Sequence, residues 1–195
     1  MLCKIGVFDW KISQKKHMAL KATIFKANLQ ISDIDRDYYQ EHTLTLARHP
    51  SETDERMMVR MLAFAQHAHE ALVFGKGLSD QDEPDLWQKD LTGVIDLWIE
   101  VGFPDEKSIL KACGRAGQVV IYSYGHAADV WWNQIGSKLE RARNLTVIRL
   151  PTGSTLDLAK LAQRNMVLQC TVQDGQLMWT GGDNLVQIEP IVLKT

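Results

Sequence analysis

The stretch Gly93-Val94-Ile95-Asp96-Leu97-Trp98-Ile99-Glu100-Val101-Gly102 reads as a buried β-strand, with β-branched and aromatic residues, a glycine at each end and no proline. It also carries two carboxylates, and a carboxylate in a buried strand is costly unless it is paired or bound to a cation. Side chains alternate along a strand, so Asp96, Trp98 and Glu100 share one face, and Ile95, Leu97, Ile99 and Val101 the other. Two acids on one face of a central strand point to a cation site.

Working outward, the pattern alternates between helices and strands. Leu20 to Ile31 and Thr43 to Arg48 read as strands joined by a polar, aspartate-rich connection, Asp33 to Tyr39. Pro50-Ser51-Glu52-Thr53-Asp54-Glu55 starts a helix: Ser51 or Thr53 can cap it, and the acids suit its positive end. This helix is expected to reach about His69, with Met58, Met61, Leu62, Ala65 and Ala68 inward and Glu55 at the inward end. Ala71 to Phe74 is a short strand, and Gly75 to Asp90 an irregular acidic segment around Pro84. After the acidic strand, Pro104-Asp105 opens a helix that ends near Gly114 or Gly117. Strands over Val119 to Tyr124 and Leu145 to Leu150 flank a helix from Ala127 to Arg143, and a short helix covers Thr155 to Gln163. Met166 to Val172 and Gln176 to Trp179 flank Asp174-Gly175, a strong hairpin signal, and a last strand covers Leu185 to Leu193. The sum is an α/β fold, a mixed central sheet flanked by helices with added hairpins.

A chain of 195 residues, 45% hydrophobic and 24% charged, suits one ordinary domain; residues 18–195 are expected to form it, preceded by a poorly ordered extension over 1–17. A net charge of −2 argues against strong whole-protein attraction to nucleic acid or an anionic membrane. No run approaches the ~18 apolar residues of a membrane span. The N-terminus lacks a secretory pattern, and Cys3, Cys113 and Cys170 form no disulfide set, so the expected location is the cytoplasm.

Thr45-Leu46-Ala47-Arg48-His49-Pro50-Ser51-Glu52-Thr53-Asp54-Glu55-Arg56-Met57-Met58, with Asp82-Glu83-Pro84, the strand Ile95 to Gly102 and Gln173-Asp174-Gly175, resembles the YaeQ family of small bacterial proteins, from Met18 nearly to the C-terminus. The resemblance implies a variant of the PD-(D/E)XK nuclease core: helix, three-stranded meander, helix, strand. It implies a metal-dependent nuclease in which two acids hold Mg²⁺ and a lysine two residues after the second acid assists. The other implied reading is a non-catalytic factor binding nucleic acid or protein on a degraded nuclease fold, with a link to transcription.

The chemistry is sound in principle, because hard oxygen ligands at about 2.1 Å hold Mg²⁺, which offsets charge developing on phosphate. The residues fit it unevenly. Asp96 and Glu100 lie roughly 13 Å apart on a straight strand, so one ion needs a bulge or a further acid: Glu55, Asp82 or Glu83. Gly102 stands where the lysine belongs, and Lys107 or Lys111 would have to replace it, although a buried stripe of Ile109, Ala112, Cys113 and Ala116 turns both away. The candidate set is Asp96 and Glu100 as Mg²⁺ ligands, with Glu55 and Lys111 assisting.

Plainer readings stand beside it. Asp96 and Glu100 would instead pair with Arg48 or Arg56; Glu55 would serve the helix dipole; His49 would be a turn residue. His67 and His69 diverge on a helix, and Asp33-Ile34-Asp35-Arg36-Asp37 fails as a calcium loop because Tyr38 replaces its glycine. Trp131-Trp132 cannot both face one core, so one is free to stack on a base or a partner; Lys138, Arg141 and Arg143 read as a solvated face.

Overall fold

The computed structural model describes residues 22–76 and 82–195; the expected extension over 1–17 lies outside them. The α/β class holds, but the strands form two mixed sheets rather than one. The first has the order β10-β9-β8-β1-β2, and the second β11-β7-β6-β5-β4-β3.

In the first sheet, β1 (Thr23–Asp33) pairs antiparallel with β2 (Tyr38–Arg48) and parallel with β8 (Asn165–Gln173). Strand β8 continues antiparallel to β9 (Gln176–Gly181), and β9 to β10 (Asn184–Ile188). The β8–β9 connection is the expected Asp174-Gly175 turn, with φ of 53° and 73°, the left-handed pair that a two-residue hairpin requires. Asp35 braces it, accepting hydrogen bonds from the Asp174 and Gly175 amides at 2.8 Å each. Strand β2 begins five residues earlier than its alternating pattern suggests, because Asp37 tolerates φ of 53° and closes a tight turn.

The second sheet holds β3 (Leu72–Phe74), β4 (Leu86–Lys89), β5 (Ile95–Val101), β6 (Ala116–Ser123), β7 (Leu145–Arg149) and β11 (Ile191–Lys194). Strands β5, β6 and β7 run parallel; the other pairs are antiparallel. Two expectations are corrected here. Strand β4 lies inside the segment read as irregular. The single strand expected over Leu185 to Leu193 is two strands in different sheets, broken at Pro190, which has no N–H for a ladder.

Helix α1 (Asp54–Gln66), N-capped by Thr53 through a 3.1 Å bond from the Arg56 amide, stops short of His69. An inward stripe was expected, but every residue from Met57 to Ala65 is buried, as befits a helix enclosed on all sides. One core joins it to the inner residues of the first sheet, such as Leu29, Leu46 and Trp179, and to Leu97, Ile99, Val120 and Tyr122 of the second. The opposite face of the second sheet, with Trp98, Val119, Ile121 and Val147, packs on α2 (Glu106–Cys113) and α3 (Ala128–Ile135). Helix α3 is shorter than expected, passing at Gly136 into a 3-10 turn. Helix α4 (Thr152–Ala159) lies against α1.

The C-terminus of α1 is closed from outside. The Arg36 guanidinium donates to the carbonyls of Ala65 (3.2 Å) and Ala68 (3.3 Å) while its Nε bonds Asp33 at 2.6 Å. Helix ends leave carbonyls without partners, and a cation there also complements the dipole. Arg36→Ala is expected to lower stability by about 2 kcal/mol, read as a shift of the urea midpoint; an unchanged midpoint would refute this role.

Candidate functional site

Strand β5 departs from regular alternation at one place. Gln88 pairs with Leu97 but Lys89 with Ile95, so Asp96 is the extra residue of a β-bulge. Beyond it, Leu97, Ile99 and Val101 face the α1 core and Trp98 the α2 side as expected, whereas Ile95 packs on the Trp98 side. Asp96 is exposed. Glu100 is half-buried and accepts a 2.8 Å bond from Trp98 Nε1. Burial pushes its carboxyl up from the usual range; the Trp98 bond pulls the other way, and the Asp85 charge adds to the rise.

The acids that are drawn into one buried cluster are others. Asp85 directly precedes β4, one position beyond the Leu86–Ile99 pair, and so comes alongside Glu100. Its carboxylate accepts two 2.8 Å bonds from Arg56 Nη2 and one from the Val101 amide. Glu52 accepts from Arg60 Nε (2.8 Å), Arg60 Nη2 (2.9 Å) and Arg56 Nη1 (3.0 Å). Glu52 and Asp85 are each 5% exposed and Arg60 2%. Two carboxylates thus meet two guanidinium groups, a balanced buried network. Burial works against the charge of Arg56, but Asp85 and Glu52 outweigh it and hold the group above its ordinary value. Burial likewise pushes the Asp85 carboxyl up, while Arg56, Arg60 and the Val101 amide pull it down.

The remaining candidates separate. Glu55 accepts a 2.7 Å bond from Thr155 of α4. Lys111 bonds Asp82 at 2.5 Å, and both line a small cavity of about 40 Å³ with Trp98, Glu100, Ser108 and Arg115. The fold therefore gathers Glu100 and Lys111, and leaves Asp96 and Glu55 elsewhere. Among the described residues no group of three or more acidic, histidine or cysteine side chains is placed to hold a metal ion. Arg56 and Arg60 occupy the space between Glu52 and Asp85, so this donor set does not fit Mg²⁺ unless a guanidinium leaves. Arg60 carried a weaker signal: Arg56 and Arg60, four residues apart, share one side of α1, and Glu52 stands just before its N-cap.

Beside this network, at the carboxyl end of β5 and β6, lies an aromatic groove. Phe103, 43% exposed, stacks on Tyr124 (6.2 Å, 22°) and meets Trp131 at 5.8 Å. Trp131 is held by its Nε1 bond to the Pro104 carbonyl at 3.0 Å. Both Trp131 and Trp132 are half-buried against the α2–α3 core. The groove is about 470 Å³ and carries Lys107 and Lys138 on its walls beside Asp105 and Glu106, with Lys138 3.2 Å from Glu106. Burial raises the Tyr124 hydroxyl to about 12, so it stays protonated.

These features define a two-sheet α/β protein with a central buried helix and a buried cluster of two acids and two arginines. Comparison with known proteins places it among relatives. The family model for the YaeQ protein matches residues 18–190. The YaeQ protein of Salmonella typhi is 47% identical over 173 residues, covering 88% of this chain and 96% of its own, and that of Escherichia coli K12 is 47% identical over 167 residues, covering 85% and 92%. The crystal structure of YaeQ from Xanthomonas axonopodis pv. citri superposes with a TM-score of 0.87 at 48% identity, over 89% of this chain and 99% of that one. YaeQ from Pseudomonas syringae gives 0.86 at 34% identity, over 89% and 97%. The chain belongs to the YaeQ family. No helix among the described residues is long and apolar enough to cross a membrane.

Proposed function

We propose that this protein is a non-catalytic factor that binds single-stranded nucleic acid on a nuclease-like core. The observation carrying this reading is the Phe103–Trp131 aromatic pair in an open groove, backed by Tyr124 behind Phe103, with Lys107 and Lys138 on the groove walls. Aromatic faces accept any base, and lysines meet the backbone. The place is favourable too, since ligands of α/β sheets settle beyond the carboxyl ends of parallel strands. The neighbouring acids support binding over hydrolysis, because Glu52 and Asp85 are already neutralised by Arg56 and Arg60.

The test is titration of the intrinsic tryptophan fluorescence with short oligo-dT and oligo-rU. Quenching is expected, and Phe103→Ala is expected to weaken binding about tenfold, the worth of one stacking contact of ~1–3 kcal/mol. If Lys107 and Lys138 each neutralise one phosphate, the logarithm of affinity falls against the logarithm of salt with a slope near about −1.4. No quenching at any oligonucleotide concentration would sink the proposal.

The hydrolase reading, with Asp96 and Glu100 on Mg²⁺ helped by Glu55 and Lys111, keeps one supporting observation: Glu100 and Lys111 line one cavity. Calorimetric titration with Mg²⁺ or Mn²⁺, beside a cleavage assay, separates the two. Metal binding and cleavage that are both lost in Glu100→Gln would establish the enzyme.

A further inference from the structure

The outward face of the first sheet is nearly free of charge. Along β1 the exposed positions are Ile24, Lys26, Asn28, Gln30 and the half-exposed Ser32; along β8 they include Val167 and Gln169; β2 adds Thr43 and Thr45. Strands β9 and β10 add Met178, Leu185 and Gln187. Only Lys26 and Glu41 among the outward residues of these five strands are charged, in a chain that is 24% charged. Apolar side chains stand open on the same face: Val167 is 75% exposed, Leu185 68%, Tyr39 56% and Ile24 48%. Side chains of this kind, on a surface so poor in charge, mark a contact surface rather than a solvated one.

We propose that this face packs against the same face of a second copy of the chain, forming a twofold-symmetric dimer. Two features on the page select this occupant. The first is charge. An isologous contact sets a surface against itself, so a face of one sign repels its own copy, whereas a face whose only charges are one cation and one anion does not. The second is area. The face is five strands wide, about 24 Å at ~4.8 Å per strand. The register shared by β1 and β8, Lys26–Asn165 to Asp33–Val172, runs for about 26 Å at ~3.3 Å per residue. That is roughly 600 Å² of sheet face per copy, or about 1,200 Å² for the pair, which reaches the lower end of specific interfaces. Face-to-face packing of aligned sheets supplies the geometry. Val167 projects from β8, the middle strand, so it lies next to the centre of the contact and near its own counterpart.

The test is the mass of the full chain in solution by light scattering after size exclusion. The wild type is expected at twice the 22.1 kDa of one chain. Val167→Glu sets two carboxylates together at the centre and is expected to return the mass of one chain with an unchanged circular dichroism spectrum. Mixing Val167→Glu with Val167→Lys is expected to restore the doubled mass, which a folding defect would not do. A wild type of single-chain mass at millimolar concentration overturns the proposal, as does a doubled mass that survives Val167→Glu. Oligonucleotide binding is measured on the same samples, and its failure leaves the dimer result unaffected because the groove lies on the other sheet.

Discussion

Replacing Arg60 with methionine is expected to destabilise the protein by about 4 kcal/mol, the largest effect of any single change considered. Arg60 is 2% exposed and donates two of the three hydrogen bonds that Glu52 accepts. Methionine keeps much of the side-chain volume but leaves a carboxylate that is itself 5% exposed short of its main partner. Removing one member of a buried ion pair costs about 3–5 kcal/mol, chiefly through the charge left behind. Arg60→Lys is expected to recover only part of this, since an ammonium cannot reproduce the forked contact. Arg60→Met combined with Glu52→Gln removes the stranded charge and should be less damaging than the sum of the two changes. Urea denaturation of the four proteins completes the cycle, and strict additivity would show that the pair does not act as one.

The second large effect is acid lability from His67. Its ring lies at the end of α1, with Nε2 2.9 Å from the Tyr122 hydroxyl, which itself donates to Gln66 at 2.7 Å. That hydroxyl has one proton and gives it to Gln66, so His67 Nε2 donates in this bond. Burial, with a smaller contribution from the Arg36 charge, lowers the His67 pKa from 6.5 to about 4. The unfolded chain therefore binds one more proton than the folded one between these values. The stabilisation is complete above pH 6.5 and is lost as pH falls through about 4. A shift of this size corresponds to about 3 kcal/mol. His67→Gln keeps a donor for Tyr122 and is expected to flatten the fall of the urea midpoint between pH 7 and pH 4. Equal slopes in both proteins would exclude His67 as the source.

Local chemistry made much of the fold legible. Asp174-Gly175 announced its hairpin because only residues tolerant of positive φ close a two-residue turn. Thr53 with Asp54 and Glu55 announced the start of α1. Pro190 held a warning inside the strand-like stretch from Leu185 to Leu193: a residue without an N–H ends one strand, and another begins after it. Strand β4 stayed hidden because four residues are too few to show a period, and only its neighbours β3 and β5 make it a strand. The candidate site was less legible. Glu52, Asp85 and Val101 are far apart along the chain, and no local pattern says that one guanidinium, that of Arg56, will touch all three. Asp85 carries no local signal, because a Pro-Asp pair alone is weak evidence, and its meaning comes only from its place beside Glu100.

The order of residues by itself determined the α/β class, the place of most elements, the hairpins and the kinship with YaeQ, because each rests on side-chain periods, caps and turn residues acting within a few positions. The tertiary structure alone decided that the strands divide into two sheets, that α1 is enclosed on every side, and which acids meet which cations. Those outcomes depend on where separate segments come together, and at a buried carboxylate the nearest guanidinium in space sets the chemistry, whatever its distance along the chain.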